Sequence, residues 1–158
     1  MHILLTRPIE DCEELIIKFK SLGHNISHLP VIKIQSKKYQ EEDFNEYKGI
    51  IFTSSNAIKN LEIKKINKNI YCYCVGLATE KTAKLNGFQN IYTAEGNVNN
   101  LKEIILQTFN ANNGRLLYVS GEIVSSNLDK ELIFEGYSIK RLINYSVLPI
   151  EDLDLRFV

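Results

Sequence analysis

The sequence predicts an α/β fold, a doubly wound parallel sheet with helices on both faces. Two observations predict it. Short β-branched or aromatic runs alternate with longer amphipathic stretches along the chain. Glycines fall just past the amphipathic stretches, as in "LNGF" and "FEGY", where a left-handed residue closes a helix.

Taken in order, "HILLT" (2–6) reads as a strand and "IEDCEELIIKFKSLG" as a helix with Leu15, Phe19 and Leu22 at helical spacing. Pro8 suits the first turn and Gly23 the C-cap. "NISHLPVIKIQ" (25–35) reads as one long strand interrupted by Pro30, and polar "SKKYQEED" as a linker. The same rhythm then recurs: strand 49–53 and helix 54–62, strand 70–75 and helix 77–86, strand 90–93 and helix 97–110, strand 115–119 and helix 125–135, and last strand 137–147. Residues 36–146 thus supply five strands and four helices, a complete layer of flavodoxin-like size. Residues 1–35 supply one strand–helix–strand unit, which cannot cover both faces of a sheet.

The 158 residues allow one substantial core. Lys plus Arg (19) equals Asp plus Glu (19), so no net field favours nucleic acid or an anionic membrane. The lysines of "KKINK" read as a solvated loop, since no aromatic interleaves them. No apolar run approaches the roughly 20 residues of a membrane span, and the acidic start "MHILLTRPIEDCEE" is not that of a signal peptide. Three cysteines without framework spacing point to a reducing, cytoplasmic setting. Cys72 and Cys74 share one strand face and read as buried free thiols, and no metal site is expected.

In an open parallel sheet, ligands bind beyond the carboxyl ends of the strands. At those ends stand Thr6-Arg7-Pro8, Thr53-Ser54-Ser55-Asn56, Gly76-Leu77-Ala78-Thr79, Glu95-Gly96-Asn97 and Ser120-Gly121-Glu122. Hydroxyls, glycines and helix N-termini recur, and no Asp–His or Cys–His pair accompanies them. Such an edge holds carboxylates or phosphates with backbone donors rather than lysines. Each Ser, Thr or Asn alone is equally an N-cap, worth about 1 kcal/mol; the recurrence on one edge favours a polyanion site. No G-x-G-x-x-G opens the first helix and no G-x-x-x-x-G-K-[ST] occurs, which leaves dinucleotide and P-loop readings unsupported. A phosphoacceptor receiver would need acidic early strand ends, and the sequence has none there.

Several segments resemble, in order and spacing, the uroporphyrinogen-III synthase family: "LLTRP", "LPVIKI", "IIFTSSNAI", "CVGLATEKTAKLNGF", "AEGNVNNL", "LLYVSGEIVSSNL" and "EGYSIKRLINYSVLP". Glu80 stands where the family usually has Ala, and Ser120 where it often has Arg. The resemblance implies two flavodoxin-like domains joined by a two-stranded ladder, with the active site between them and neither cofactor nor metal. The implied reaction converts hydroxymethylbilane to uroporphyrinogen III, with loss of water, inversion of the last pyrrole ring and ring closure. It implies Tyr145 as proton donor to the leaving hydroxyl, a residue that also reads as a half-buried strand tyrosine with a bonded hydroxyl. Thr79 matches a substrate-contacting threonine; Thr53, Ser54, Ser55, Gly76, Ser120 and Gly121 would line the same cleft. Arg7 would contact a carboxylate or hold the inter-domain geometry.

The family chain continues after "SVLP" for roughly a hundred residues, a domain-sized piece, whereas this sequence stops at "DLDLRFV". The expectation is therefore a truncated member: 36–146 a complete domain, 1–35 and 147–158 a partial α/β domain whose exposed apolar surface favours a homodimer. Three readings result. One is an active synthase, completed by a second polypeptide or by dimerisation. Another is an inactive homologue that binds only linear tetrapyrrole or a pathway partner. The third, an unrelated α/β module for a sugar or nucleotide, is disfavoured by the ordered segments.

Overall fold

The computed structural model describes residues 1–153 and Arg156. By contacts the chain divides into two compact units, Met1–Gln35 with Val147–Val158, and Ser36–Ser146. The expected returning segment 147–158 lies in part outside the described residues.

In the first unit, β1 (His2–Leu5) pairs in parallel with β2 (Asn25–His28), in register from His2↔Asn25 to Leu5↔His28. The helix α1 (Ile9–Ser21) connects them. Pro8 supplies its N-cap, Glu10 and Asp11 lie in its first turn, and Lys18 and Lys20 in its last, all in accord with the helix dipole. Leu22, not Gly23, is the C-cap, and Gly23 follows it with φ +79° and lets the chain turn back into β2. The expected single strand 25–35 is two: β2 ends at His28 and β3 spans Ile32–Ser36. Pro30 explains the break, because it lacks an N–H for a ladder and restricts its predecessor.

The second unit is an α/β layer. Its strands are β4 (Tyr47–Phe52), β5 (Tyr71–Val75), β6 (Ile91–Ala94), β7 (Arg115–Gly121) and β8 (Ile139–Pro149), the last passing on into the first unit. The helices are α2 (Ser55–Lys59), α3 (Leu77–Leu85), α4 (Val98–Thr108) and α5 (Leu128–Phe134). The pairs β4–β5, β4–β7, β5–β6 and β7–β8 are all parallel. The sheet has six strands in the order β3-β8-β7-β4-β5-β6, and this unit supplies the five from β8 to β6. Numbered along the unit, that is 3-2-1-4-5 read from the β6 edge. It differs from the 2-1-3-4-5 of flavodoxin, because the chain continues outward from β5 to β6 instead of crossing back. Strand–helix alternation carries no information on that choice.

The strands are apolar on both faces, as a sheet covered on both sides requires. Ile51, Tyr73, Leu116 and Tyr118 pack with Leu101 and Ile105 of α4 and Leu128 and Leu132 of α5. On the alternate positions, Ile50, Phe52, Cys72, Cys74, Leu117 and Val119 are buried too, as are Ala57, Ile58 and Ala83 of α2 and α3. The Cys72 and Cys74 sulfurs are 3.9 Å apart as free thiols, and the hydrogen bond between them together with burial pushes the Cys72 thiol pKa up. Gly49 in β4 is there for close approach: an added Cβ would lie 2.6 Å from Leu116 Cδ2.

Element ends differ from the expected ones in two places that bear on function. The helix expected over 54–62 stops at Lys59, where Asn60 caps it and donates its side-chain amide to the Asn56 carbonyl at 2.8 Å. The strand expected to end at 119 runs on through Ser120 and Gly121, both buried.

Candidate functional site

The chain reverses direction across the sheet between β4 and β7: successive strands from β4 go one way, and β7 and β8 go the other. Connections leaving the carboxyl ends of two such neighbours diverge and leave a crevice between them, the usual ligand position of open α/β sheets. A cavity of about 580 Å³ opens there. Thr53 and Ser54 line it from the end of β4, Gly121 from the end of β7, and Tyr145 from β8. Tyr118, the N-terminal turn of α4 (Gly96–Asn99) and the loop carrying Ile123–Ser126 complete the wall. No Lys, Arg or His lines it among the described residues, so its polar groups are hydroxyls, amides and backbone.

The residues expected at this edge are not all brought together. Thr53, Ser54, Gly121 and Tyr145 line the cavity. Ser55 opens α2 and is half-buried. Gly76 is the N-cap of α3 at φ +84°, and its N–H donates to the Ala94 carbonyl at 3.0 Å, so it ties β5 to β6. Thr79 is buried within α3. Ser120 is buried, and its hydroxyl donates to the Gly121 carbonyl at 3.0 Å while accepting Arg141 Nε at 2.8 Å. Arg7 belongs to the first unit, where its carbonyl is 2.8 Å from His28 Nε2.

Capping and lining coincide at Ser54. Its hydroxyl accepts the Asn56 N–H at 3.2 Å and so caps α2, while the residue faces the cavity. Asn97 does the same for α4 by accepting the Asn100 N–H at 3.0 Å. With eleven residues, α4 carries a fuller dipole than the five-residue α2 and turns its positive end to the cavity. Thr53 Oγ1 and Tyr118 Oη lie 3.5 Å apart. Burial raises the Tyr118 pKa, and the Thr53 bond and the Arg141 charge partly oppose it. Tyr118 is thus a neutral hydroxyl at neutral pH.

Gly121 makes room for Tyr145. A Cβ on it would lie 2.8 Å from both Cε2 and Cζ of that ring. Just beyond, Glu122 accepts Lys37 Nζ at 2.8 Å and Ser146 Oγ at 2.9 Å. Lys37 first, then Ser146, hold its carboxyl below the ordinary value. Arg141 is a contributor the residue pattern did not single out, whereas Gly96 and Asn97 of the α4 turn belong to the strand-end segments expected at this edge. Arg141 sits in a strand, where a long cation reads as solvent-facing.

Among the described residues no cluster of three or more His, Cys, Asp or Glu could hold a metal ion. No helix among them is long and apolar enough to cross a membrane.

Fold and cavity together define an α/β protein with a cleft at the topological switch of a parallel sheet, lined among the described residues by no charged side chain. A family model described as Uroporphyrinogen-III synthase HemD matches residues 13–157, and the chain belongs to the uroporphyrinogen-III synthase family. Among solved structures, it is similar to uroporphyrinogen-III synthetase from Helicobacter pylori, with a TM-score of 0.59 and 22% identity over 82% of this chain and 59% of that one. It is also similar to a mutant uroporphyrinogen III synthase from the extremely thermophilic bacterium Thermus thermophilus, with a TM-score of 0.55 and 14% identity over 95% of this chain and 64% of that one. At these identities the likeness concerns the fold. The chain spans 59% and 64% of the lengths of these two proteins. No curated protein sequence matches it.

Proposed function

We propose that this protein acts in tetrapyrrole biosynthesis as a uroporphyrinogen-III synthase, a lyase that closes hydroxymethylbilane to uroporphyrinogen III. The observation that carries this reading is the cavity at the β4–β7 switch, lined by hydroxyls, amides and the Tyr145 ring in a chain of this family. Carboxylates of a linear tetrapyrrole would be held by neutral donors: the α4 N-terminus, Thr53, Ser54, Ser125 and Ser126. Loss of the terminal hydroxyl gives an azafulvene cation, driven by the pyrrole nitrogen's own electrons. Tyr145 donates the proton to that leaving group. The rest of the protein's task is conformational: to fold the chain so that attack occurs at the substituted pyrrole carbon, and to exclude water. The chemistry draws on no redox cofactor.

On this reading Gly121 seats the donor, Gly76 and Thr79 shape the α3 junction, Ser55 and Ser120 support the cleft wall, and Arg7 serves from the first unit. We read Ser36–Ser146 as a complete domain with helices on both faces of five strands. The described part of the first unit, with two paired strands and one helix, reads as part of a second α/β domain. Its exposed Ile9, Leu15, Ile17 and Leu22 support self-association. Three buried free cysteines support a reducing compartment, the cytoplasm.

Titration with uroporphyrinogen III, monitored by amide NMR of the full chain, tests the binding site. Perturbation centred on Thr53–Ser54, Gly96–Asn99 and Gly121–Ser126 is expected. Perturbation confined to other surfaces would overturn the assignment.

A further inference from the structure

The cleft depends on an irregularity in the sheet. The strands β7 and β8 keep step from Leu116↔Ile139 to Ser120↔Ile143, and then Gly121 pairs with Tyr145. One step on β7 is matched by two on β8, so Asn144 is the extra residue of a bulge. Bulges disrupt the local ladder and re-aim the side chains beyond them. Asn144 is fully buried, and its Nδ2 donates to the Ala57 carbonyl at 2.8 Å, which anchors the bulge to α2.

Past the bulge, the end of β7 is held by a side chain. Arg141, opposite Tyr118 on β8, donates from Nη2 to the carbonyls of Gly121 and Glu122, each at 2.9 Å. Its Nε donates to Ser120 Oγ at 2.8 Å, and that hydroxyl donates on to the Gly121 carbonyl. The Glu122 N–H in turn reaches the Tyr145 carbonyl at 2.9 Å. One guanidinium therefore holds three consecutive residues, and the middle one is the glycine on which the Tyr145 ring rests. A Cβ there would also come within 3.1 Å of the Tyr145 hydroxyl oxygen.

We propose that Arg141 is a positioning residue, whose guanidinium fork fixes Ser120–Glu122 across the bulge and thereby seats the Tyr145 ring in the cavity. Lysine cannot replace it, because an ammonium is a point charge without the planar fork that reaches several acceptors at once. The seating itself is independent of the reaction; only its catalytic consequence rests on the synthase reading.

The test uses the full chain labelled with 3-fluorotyrosine, with the Tyr145 resonance assigned by its loss in Tyr145→Phe. Arg141→Lys and Arg141→Ala are expected to shift or broaden that resonance. Tyr73 and Tyr137, whose hydroxyls are bonded to Thr108 and to the Phe109 carbonyl, should keep theirs. An unmoved Tyr145 signal in both variants would overturn the proposal. So would a general collapse in which all eight tyrosine signals move together in Arg141→Lys, since Arg141 would then be a stabilising residue only. In turnover, Arg141→Lys should lower kcat by about tenfold, with KM changed less than about twofold, as loss of alignment rather than of binding requires. A wild-type chain without turnover would sink the synthase reading and leave the spectral test standing.

Discussion

At Gly121 the absent side chain is what allows a tyrosine ring to lie at the cleft. Gly121→Ala forces a methyl to 2.8 Å from two ring carbons. It should destabilise the protein by about 1–3 kcal/mol, the usual range for overpacking, as read by denaturant titration; an unchanged midpoint would contradict the seating. Tyr145→Phe keeps the ring and removes the proposed proton donor. Turnover should fall by about 100-fold or more, given the typical contribution of a general acid, with the fold unchanged by circular dichroism. The Glu122 carboxyl is held below its ordinary pKa by Lys37 and then Ser146. A carboxyl depressed in the folded state contributes stability that is present above its ordinary value and lost as the pH falls through the depressed one. Lys37→Met should move the Glu122 titration upward toward the ordinary range, as measured by carboxyl NMR, and an unshifted midpoint would refute the pairing.

At the scale of elements, the cleft wall is built from helix starts that are capped as well as exposed. Asn97→Ala removes the cap of α4 and should cost about 1 kcal/mol. Gly76→Ala meets nothing within 4 Å, so its cost is conformational only, at φ +84°. With ψ 152° the residue lies in an extended positive-φ region open essentially to glycine alone, so about 1–3 kcal/mol is expected, and a neutral Tm would contradict it. Ligand binding through neutral donors should depend weakly on salt, because no counterions are displaced from lysines or arginines in the wall; a steep loss of affinity on adding salt would point to a cationic site elsewhere.

The alternation of β-branched runs with amphipathic stretches was legible because each element is apolar at its own period. Pro30 was legible as an interruption but not as a strand end, since a proline can also sit on an edge strand. The short α2 was hidden by Leu61 and Ile63, which continue the apolar pattern while Asn60 turns the chain. The extension of β7 was hidden for the opposite reason: Ser120 and Gly121 look like a turn until Arg141, distant in sequence, satisfies the strand end. Thr53, Ser54, Gly96, Asn97 and Gly121 emerged from the rule that ligands sit beyond strand ends, and Tyr145 from the family resemblance. Arg141 did not, because its importance depends on a bulge.

For the whole molecule, the second unit has five paired strands, a core and a cavity, and a chain of Ser36–Ser146 should fold alone, with dispersed amide NMR signals matching those of the full chain. The first unit leaves Ile9, Leu15, Ile17 and Leu22 exposed. Light scattering of the full chain at rising concentration should report self-association through that surface, and a clean monomer throughout would contradict it. We propose that this chain directs the closure of a linear tetrapyrrole. The most direct measurement supplies porphobilinogen and hydroxymethylbilane synthase, adds the chain, oxidises the products and separates the isomers. Type III porphyrin in excess of the spontaneous type I product is expected, with the excess lost in Tyr145→Phe. Type I product alone, from folded wild-type protein, would contradict it.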